Sequence, residues 1–235
     1  MKSPPTTAAP TIPISACRLR LARPIRQHEA PALRGFFGRE FEDEIFMHNH
    51  NPDGSVIYQY PRVQFKVIDQ TATLIGINEG SELLQRLWLS FDRTRFGDEQ
   101  LQILEAQFET RSEQLAVPAD PLEYRFVTPW LGLNQENFGV YTKTRNAHRR
   151  KDELSRILVG NCLGLAKSLG IRFTDRIAAD CSRLTSIKTT LKGQGMIGFV
   201  GRFTLNLTLP DHLGLGKSVS RGFGTIERTN EVERC

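Results

Sequence analysis

The chain has 235 residues, 39% hydrophobic and 24% charged, enough for one large or two small domains with cores of their own. Its longest near-continuous apolar run, residues 157–166, contains Asn161 and two glycines and is far too short to cross a bilayer, so no membrane segment is expected. Net charge is +5, but residues 1–142 hold 14 Lys+Arg against 18 Asp+Glu, a balance of −4, while residues 143–235 hold 17 against 8, a balance of +9. A basic second half points to a polyanion such as nucleic acid.

Residues 1–13 are rich in Pro, Thr and Ala and lack the apolar core of a signal peptide; they read as a disordered leader, and the protein as cytoplasmic. Cys17, Cys162, Cys181 and Cys235 form no Cys-x-x-Cys pair and read as reduced thiols. Cys17, Leu19 and Leu21 then alternate with Arg18, Arg20 and Ala22, the pattern of a strand with one face in a core. Residues 27–38 read as a helix with Pro31 in its first turn. Residues 44–49 and 55–60 read as a hairpin turning at Asn51-Pro52-Asp53-Gly54.

That hairpin carries His48-Asn49-His50. On an extended strand the i, i+2 spacing puts both imidazoles on one face, about 7 Å apart at Cα. Two imidazoles can divide the work of general base and general acid near neutral pH. His-x-His also suits a divalent metal, although only Asp43, Glu44 or Asp53 is at hand as a third ligand. The alternative is two surface histidines beside a turn.

From residue 62 the sequence alternates Val63, Phe65 and Val67 inward with Gln64 and Lys66 outward. Residues 74–77 form another strand, and a helix follows through Leu83, Leu84, Leu87 and Trp88, capped by Asn78 or Ser81. Residues 101–110 close the half as a strand with Leu104, Ala106 and Phe108 on one face. The order is β, α, β, β, α, β, a ferredoxin-like motif over residues 14–117.

The second half, residues 118–230, begins at the Pro118 to Pro121 break, where two prolines interrupt both periodicities. A strand at 124–128 leads into a loop holding Trp130, Asn134, Phe138 and Tyr141. A helix then starts in the basic cluster K-T-R-N-A-H-R-R-K and ends at Gly170, with Gly160 and Gly164 letting it lie close on a sheet. Residues 187–191 and 196–209 form a hairpin turning at Gly193-Gln194-Gly195. Its second arm buries Phe203, Leu205, Leu207 and Leu209. Where a second helix is due, residues 213–227 read L-G-L-G-K-S-V-S-R-G-F-G-T-I-E before a last short strand. Gly214, Gly216, Gly222 and Gly224 bracket Lys217 and Arg221, a composition suited to a phosphate. A Walker loop is excluded because Asp211 stands where its first glycine belongs, and a dinucleotide fingerprint because Val219 stands where its third belongs. The competing reading is a flexible turn with two solvated cations. The fold class expected is α+β, two tandem ferredoxin-like (βαββαβ) domains, the second degenerate with a glycine-rich loop.

With these pieces in place, the chain resembles the CRISPR-associated repeat-processing endoribonucleases of the repeat-associated RNA-binding superfamily. The resemblance rests on F-M-H-N-H at 46–50, on Y-P-R-V-Q-F-K-V-I-D and I-G-I-N-E-G-S-E-L-L between 60 and 84, on F-V-T-P-W-L-G-L-N at 126–134, on R-K-D-E-L-S-R-I-L-V-G-N at 150–161 and on the glycine loop. It implies metal-independent cleavage of CRISPR repeat RNA in a precursor transcript, without a cofactor: the 2′-OH attacks the adjacent phosphate and leaves a 2′,3′-cyclic phosphate and a 5′-OH. His48 and His50 match the family's catalytic histidines. Apart from the resemblance, Lys66, outward-facing on a strand expected to pair beside the histidines, is read as stabilising the pentavalent phosphate and Tyr58 as orienting it. Arg149, Arg150, Lys151, Lys188, Lys192, Lys217 and Arg221 are the expected RNA surface. Besides the precursor RNA, other CRISPR-associated proteins or a second copy of the chain are admissible partners. Two other readings stand beside this one: a non-catalytic RNA-binding subunit of an effector complex, and a metal-dependent nuclease.

Overall fold

A computed structural model describes residues 9–48, 59–96 and 99–229, and they form two sheets. The first half runs β1 (Thr11–Leu21), α1 (Ala30–Glu40), α2 (Ile45–His48), β2 (Val63–Ile68), β3 (Thr71–Ile77), α3 (Glu79–Leu87), β4 (Arg93–Phe96) and β5 (Glu99–Gln114). Its antiparallel sheet is ordered β2-β3-β1-β5-β4, the ferredoxin-like arrangement with β4 added at one edge. β1 starts at Thr11, so residues 11–13, expected in the leader, belong to the sheet. There Ile12 and Ile14 are buried.

The structure departs from the sequence pattern at two further places. Residues 45–48 are one helical turn, not a strand, and the proposed hairpin turn at 51–54 lies outside the described residues. Three consecutive apolar residues, Ile45 to Met47, fit either period, and the turn is fixed by Met47, which is buried against α1. In β5, Leu104 is 49% exposed although Ala106 and Phe108 pack on the core. The register slips between Arg20 and Leu21, whose partners are Glu105 and Ile103, so Leu104 is the extra residue of a bulge and turns to solvent.

The second half runs β6 (Leu122–Trp130), α4 (Gln135–Lys143), α5 (Ala147–Ser168), β7 (Ala179–Asp180), β8 (Leu184–Leu191), β9 (Gln194–Leu205) and β10 (Ile226–Arg228), with sheet order β10-β6-β9-β7 and β8 also on β9. It too is ferredoxin-like, with the glycine-rich segment in place of the second helix. The stretch expected as a loop after β6 is largely helix α4, capped by the Asn134 side chain on the Asn137 amide. Its Phe138 and Val140 are about half exposed, so no clean apolar face marked it in the sequence. Gly160 and Gly164 do not touch the sheet, since a Cβ on either would meet nothing within 4 Å.

One core spans both halves. Ile12, Ile14, Ile75 and Ile77 of the first sheet share a cluster with Tyr124, Trp130, Phe199, Phe203 and the apolar face of α5. Arg62, 9% exposed, straddles the joint: it pairs with Glu79 at 2.8 Å and donates to the Ser168 carbonyl at 2.7 Å.

Candidate active site at the histidine turn and glycine-rich loop

The glycine-rich segment lies on β2, and this explains why β2 is buried on both faces. Tyr60 donates its hydroxyl to the Gly214 carbonyl at 2.7 Å, the Gly214 amide donates to Gln64 Oε1 at 3.0 Å, and Lys66 Nζ donates to the Val219 carbonyl at 3.3 Å. Gln64 and Lys66, expected to face outward, are fully buried. Alternation identified their face correctly as the one opposite Phe65, but that face is covered by the second half of the chain and not by water. Burial pushes the Lys66 ammonium down to about 7, and its side chain cannot touch a substrate at the surface.

The glycines of this segment serve the protein's own packing. A Cβ on Gly214 would lie 2.6 Å from Val219, one on Gly216 2.6 Å from the Trp130 indole nitrogen, and one on Gly222 2.9 Å from the Ala30 Cβ. One on Gly224 would overlap the Leu215 carbonyl. Gly216, Gly222 and Gly224 also have positive φ. The amides of Gly214, Gly222 and Gly224 donate to Gln64, Val219 and Pro129, so the backbone cradle expected of these three is already filled by protein acceptors. What the segment offers outward is side chains: Lys217 is exposed and Arg221 half-buried.

Arg221 and Phe223 line a cleft of about 440 Å³ together with Gln27 and His28 from the start of the first helical segment and Thr189 to Lys192 from the β8–β9 hairpin. Gln27 Nε2 donates to the Gly222 carbonyl at 3.2 Å and ties the two halves at the cleft. Lys192 thus lines the same cleft as Arg221, and exposed Lys188 lies on the same hairpin. The cluster at the start of α5 is different. Arg150 Nε donates to the carbonyls of Tyr141 and Thr144, with its guanidinium over the Tyr141 ring, and Lys151 donates to the Ser182 carbonyl. Arg149 is exposed, but about 18 Å along the helix from Asn161, which holds Trp130 beneath the glycine segment.

His48 ends α2. Its helix sits tightly on α1, where a Cβ on Gly38 would come within 3.4 Å of the His48 Cβ. The His48 carbonyl accepts from Arg34 Nη2 at 2.6 Å, and His48 Nε2 lies 2.8 Å from the Glu42 carbonyl. A carbonyl only accepts, so Nε2 carries the hydrogen, and in the neutral ring the lone pair is on Nδ1. His50 and Tyr58 lie outside the described residues. Arg34, Gln27 and His28 escaped the sequence reading. The available signal was a guanidinium one residue from Leu33 and three from Phe37 on a helix whose other inward positions are apolar.

Residues 10–114 match the family described as Cas6b N-terminal domain, and residues 116–229 match Cas6b C-terminal domain. A crystal structure of Cas6b has a TM-score of 0.88 at 30% identity, covering 93% of this chain and 100% of that one. A second, titled CRISPR RNA processing endoribonuclease Cas6b, has a TM-score of 0.74 at 28% identity with the same coverage. An uncharacterized protein of Methanocaldococcus jannaschii is 34% identical over 119 residues, 51% of this chain and 80% of its own length.

Proposed function

The chain belongs to the Cas6b family, and we propose that it is an endoribonuclease that cuts CRISPR repeat RNA in a precursor transcript to release guide RNAs. The observation that carries this reading is the likeness to Cas6b over residues 10–114 and 116–229, both halves of the chain.

The chemistry we propose needs no metal. The Nδ1 lone pair of His48 takes the proton of the 2′-OH upstream of the scissile phosphate, the 2′-oxygen bonds to phosphorus, and the bond to the 5′-oxygen breaks. A proton from His50 reaches that leaving oxygen, giving a 2′,3′-cyclic phosphate and a 5′-OH. The Glu42 carbonyl supports the assignment of base to His48, because it holds the tautomer with its lone pair on Nδ1. His50 and Tyr58 enter on sequence alone, Tyr58 orienting the phosphate. Lys217, Arg221, Lys188, Lys192 and Arg149 supply the RNA surface through exposed or half-buried cations.

The test is cleavage of the repeat RNA from the protein's own locus in chelator, beside an RNA with deoxyribose at the cleavage position. Cutting of the first but not the second is expected. A third substrate with sulfur at the 5′ bridging position separates the roles, because a thiolate leaves without an acid. It should restore His50→Ala and leave His48→Ala slow. Tight binding with no product, even after metal is added, would replace the enzyme by an RNA-binding subunit; cutting only with metal would replace the mechanism.

A further inference from the structure

Most arginines with an ion pair here meet a carboxylate across a strand or helix, as Arg20 meets Glu105 and Arg125 meets Glu227. Arg34 and Arg221 instead lie near enough, where α1 contacts the Val219–Arg221 turn, for each charge to be felt by the other. Arg34 stands one turn after Ala30 on α1, and the Gly222 backbone sits on Ala30, held there by Gln27. This brings neighbouring Arg221 over the same face of the helix. No carboxylate pairs with either guanidinium among the described residues, and Arg34 Nε is buried without a partner. Burial first and the Arg221 charge second hold the Arg34 guanidinium below its usual range. Two like charges near each other in a partly dry place have no anion between them among the described residues.

We infer that the Arg34 and Arg221 guanidiniums together form the site for the non-bridging oxygens of the scissile phosphodiester, with Arg34 also joining that phosphate to the His48 backbone. The inference deepens the proposed cleavage reading and rests on it. It gives the two arginines the part the sequence had assigned to Lys66, whose ammonium is sealed beneath the loop. Arg34 Nη2 grips the His48 carbonyl at 2.6 Å, so the cation that meets the phosphate also sets the position of the base. Arg221 opens into the cleft shared with Lys192 and His28, a path for the flanking strand. As the 2′-oxygen bonds to phosphorus, charge gathers on the non-bridging oxygens, and planar guanidiniums suit them geometrically. Because the site draws on α1 and on the glycine-rich segment, each half of the chain supplies one arginine.

The experiment uses the full chain and the variants Arg34→Met, Arg221→Met and Arg221→Lys. Unfolding temperature is measured in chloride and in inorganic phosphate at equal ionic strength, together with single-turnover cleavage and affinity for the uncleavable deoxy-substituted repeat. Phosphate should stabilise wild type beyond chloride, and this gain should vanish in Arg221→Met. In chloride Arg221→Met should be at least as stable as wild type, since a repulsion has been removed; a merely structural arginine would show the reverse. Cleavage should fall about 100-fold in both methionine variants, with affinity for the uncleavable RNA falling far less and Arg221→Lys recovering part of the rate. Rates within about threefold of wild type, or a phosphate gain equal in wild type and Arg221→Met, would overturn the inference. If wild type binds RNA but never cuts, the cleavage reading fails and the phosphate arm decides the anion site alone: a gain confined to wild type keeps it, equal gains remove it.

Discussion

Lys66 is the residue whose surroundings differ most from what its neighbours in sequence suggest, and its burial gives stability a pH dependence. Its ammonium is pushed from 10.5 down to about 7 by desolvation. Between those values the unfolded chain holds a proton that the folded chain does not, so stability rises with pH from about 7 to 10.5. Below about 7 the folded protein carries the full cost of a buried charge. Lys66→Met keeps the side chain's bulk and removes the charge. It should lie above wild type in unfolding temperature near pH 6.5 by about 5 °C and converge on it towards pH 10. Parallel profiles would mean that the ammonium reaches solvent. The alternation Val63, Phe65, Val67 made the core side legible, but nothing within six residues could reveal that Tyr60, Gln64 and Lys66 meet a segment some 150 residues away. His48 was legible as a residue and not as a conformation, because the partners fixing it, Arg34 and the Glu42 carbonyl, are matched by no spacing rule.

At the scale of elements, glycine has opposite meanings in α5 and in the segment before β10. Gly164 is exposed in the interior of a 22-residue helix with open space where its side chain would be. Gly164→Ala should raise stability by about 0.5–1 kcal/mol through reduced freedom of the unfolded chain, read as a higher urea midpoint. Gly224 has φ +62° and a backbone carbonyl in the place of a Cβ, so Gly224→Ala should cost about 3 kcal/mol or more, since strain and overlap add. Equal midpoints for both variants would show that the segment yields easily and that its packing on β2 does not hold its shape. Long, strongly patterned elements such as β9 and α5 were readable because their apolar residues repeat with one period over ten or more positions. The one-turn α2 and the weakly amphipathic α4 were not, since one is too short to show a period and the other leaves Phe138 and Val140 half in solvent.

Across the whole molecule, charge separates by half and the joint then brings selected cations to one place. Arg62 and the shared core lock the two sheets together, with Tyr60 and Gln64 fixing the glycine-rich segment between them. Of the basic residues in the second half, Lys192 lines the cleft beside Arg221, and Lys217 stands exposed on the next turn of the segment. Arg150 and Lys151 instead spend their donors on backbone carbonyls around α4, α5 and β8. Counterion release distinguishes the two groups. Replacing Lys192 or Lys217 by Gln should flatten the slope of log affinity against log salt by about 0.7 each for single-stranded RNA. Arg150→Gln and Lys151→Gln should leave the slope near wild type and lower the unfolding temperature instead, because each leaves buried or half-buried carbonyls without a donor. The measurement is the affinity of the uncleavable repeat RNA at four or more salt concentrations for each variant. Equal slope changes in both pairs would put Arg150 and Lys151 on the RNA path beside Arg149, and a long duplex or folded repeat spanning both ends of α5 would then be the substrate this surface fits.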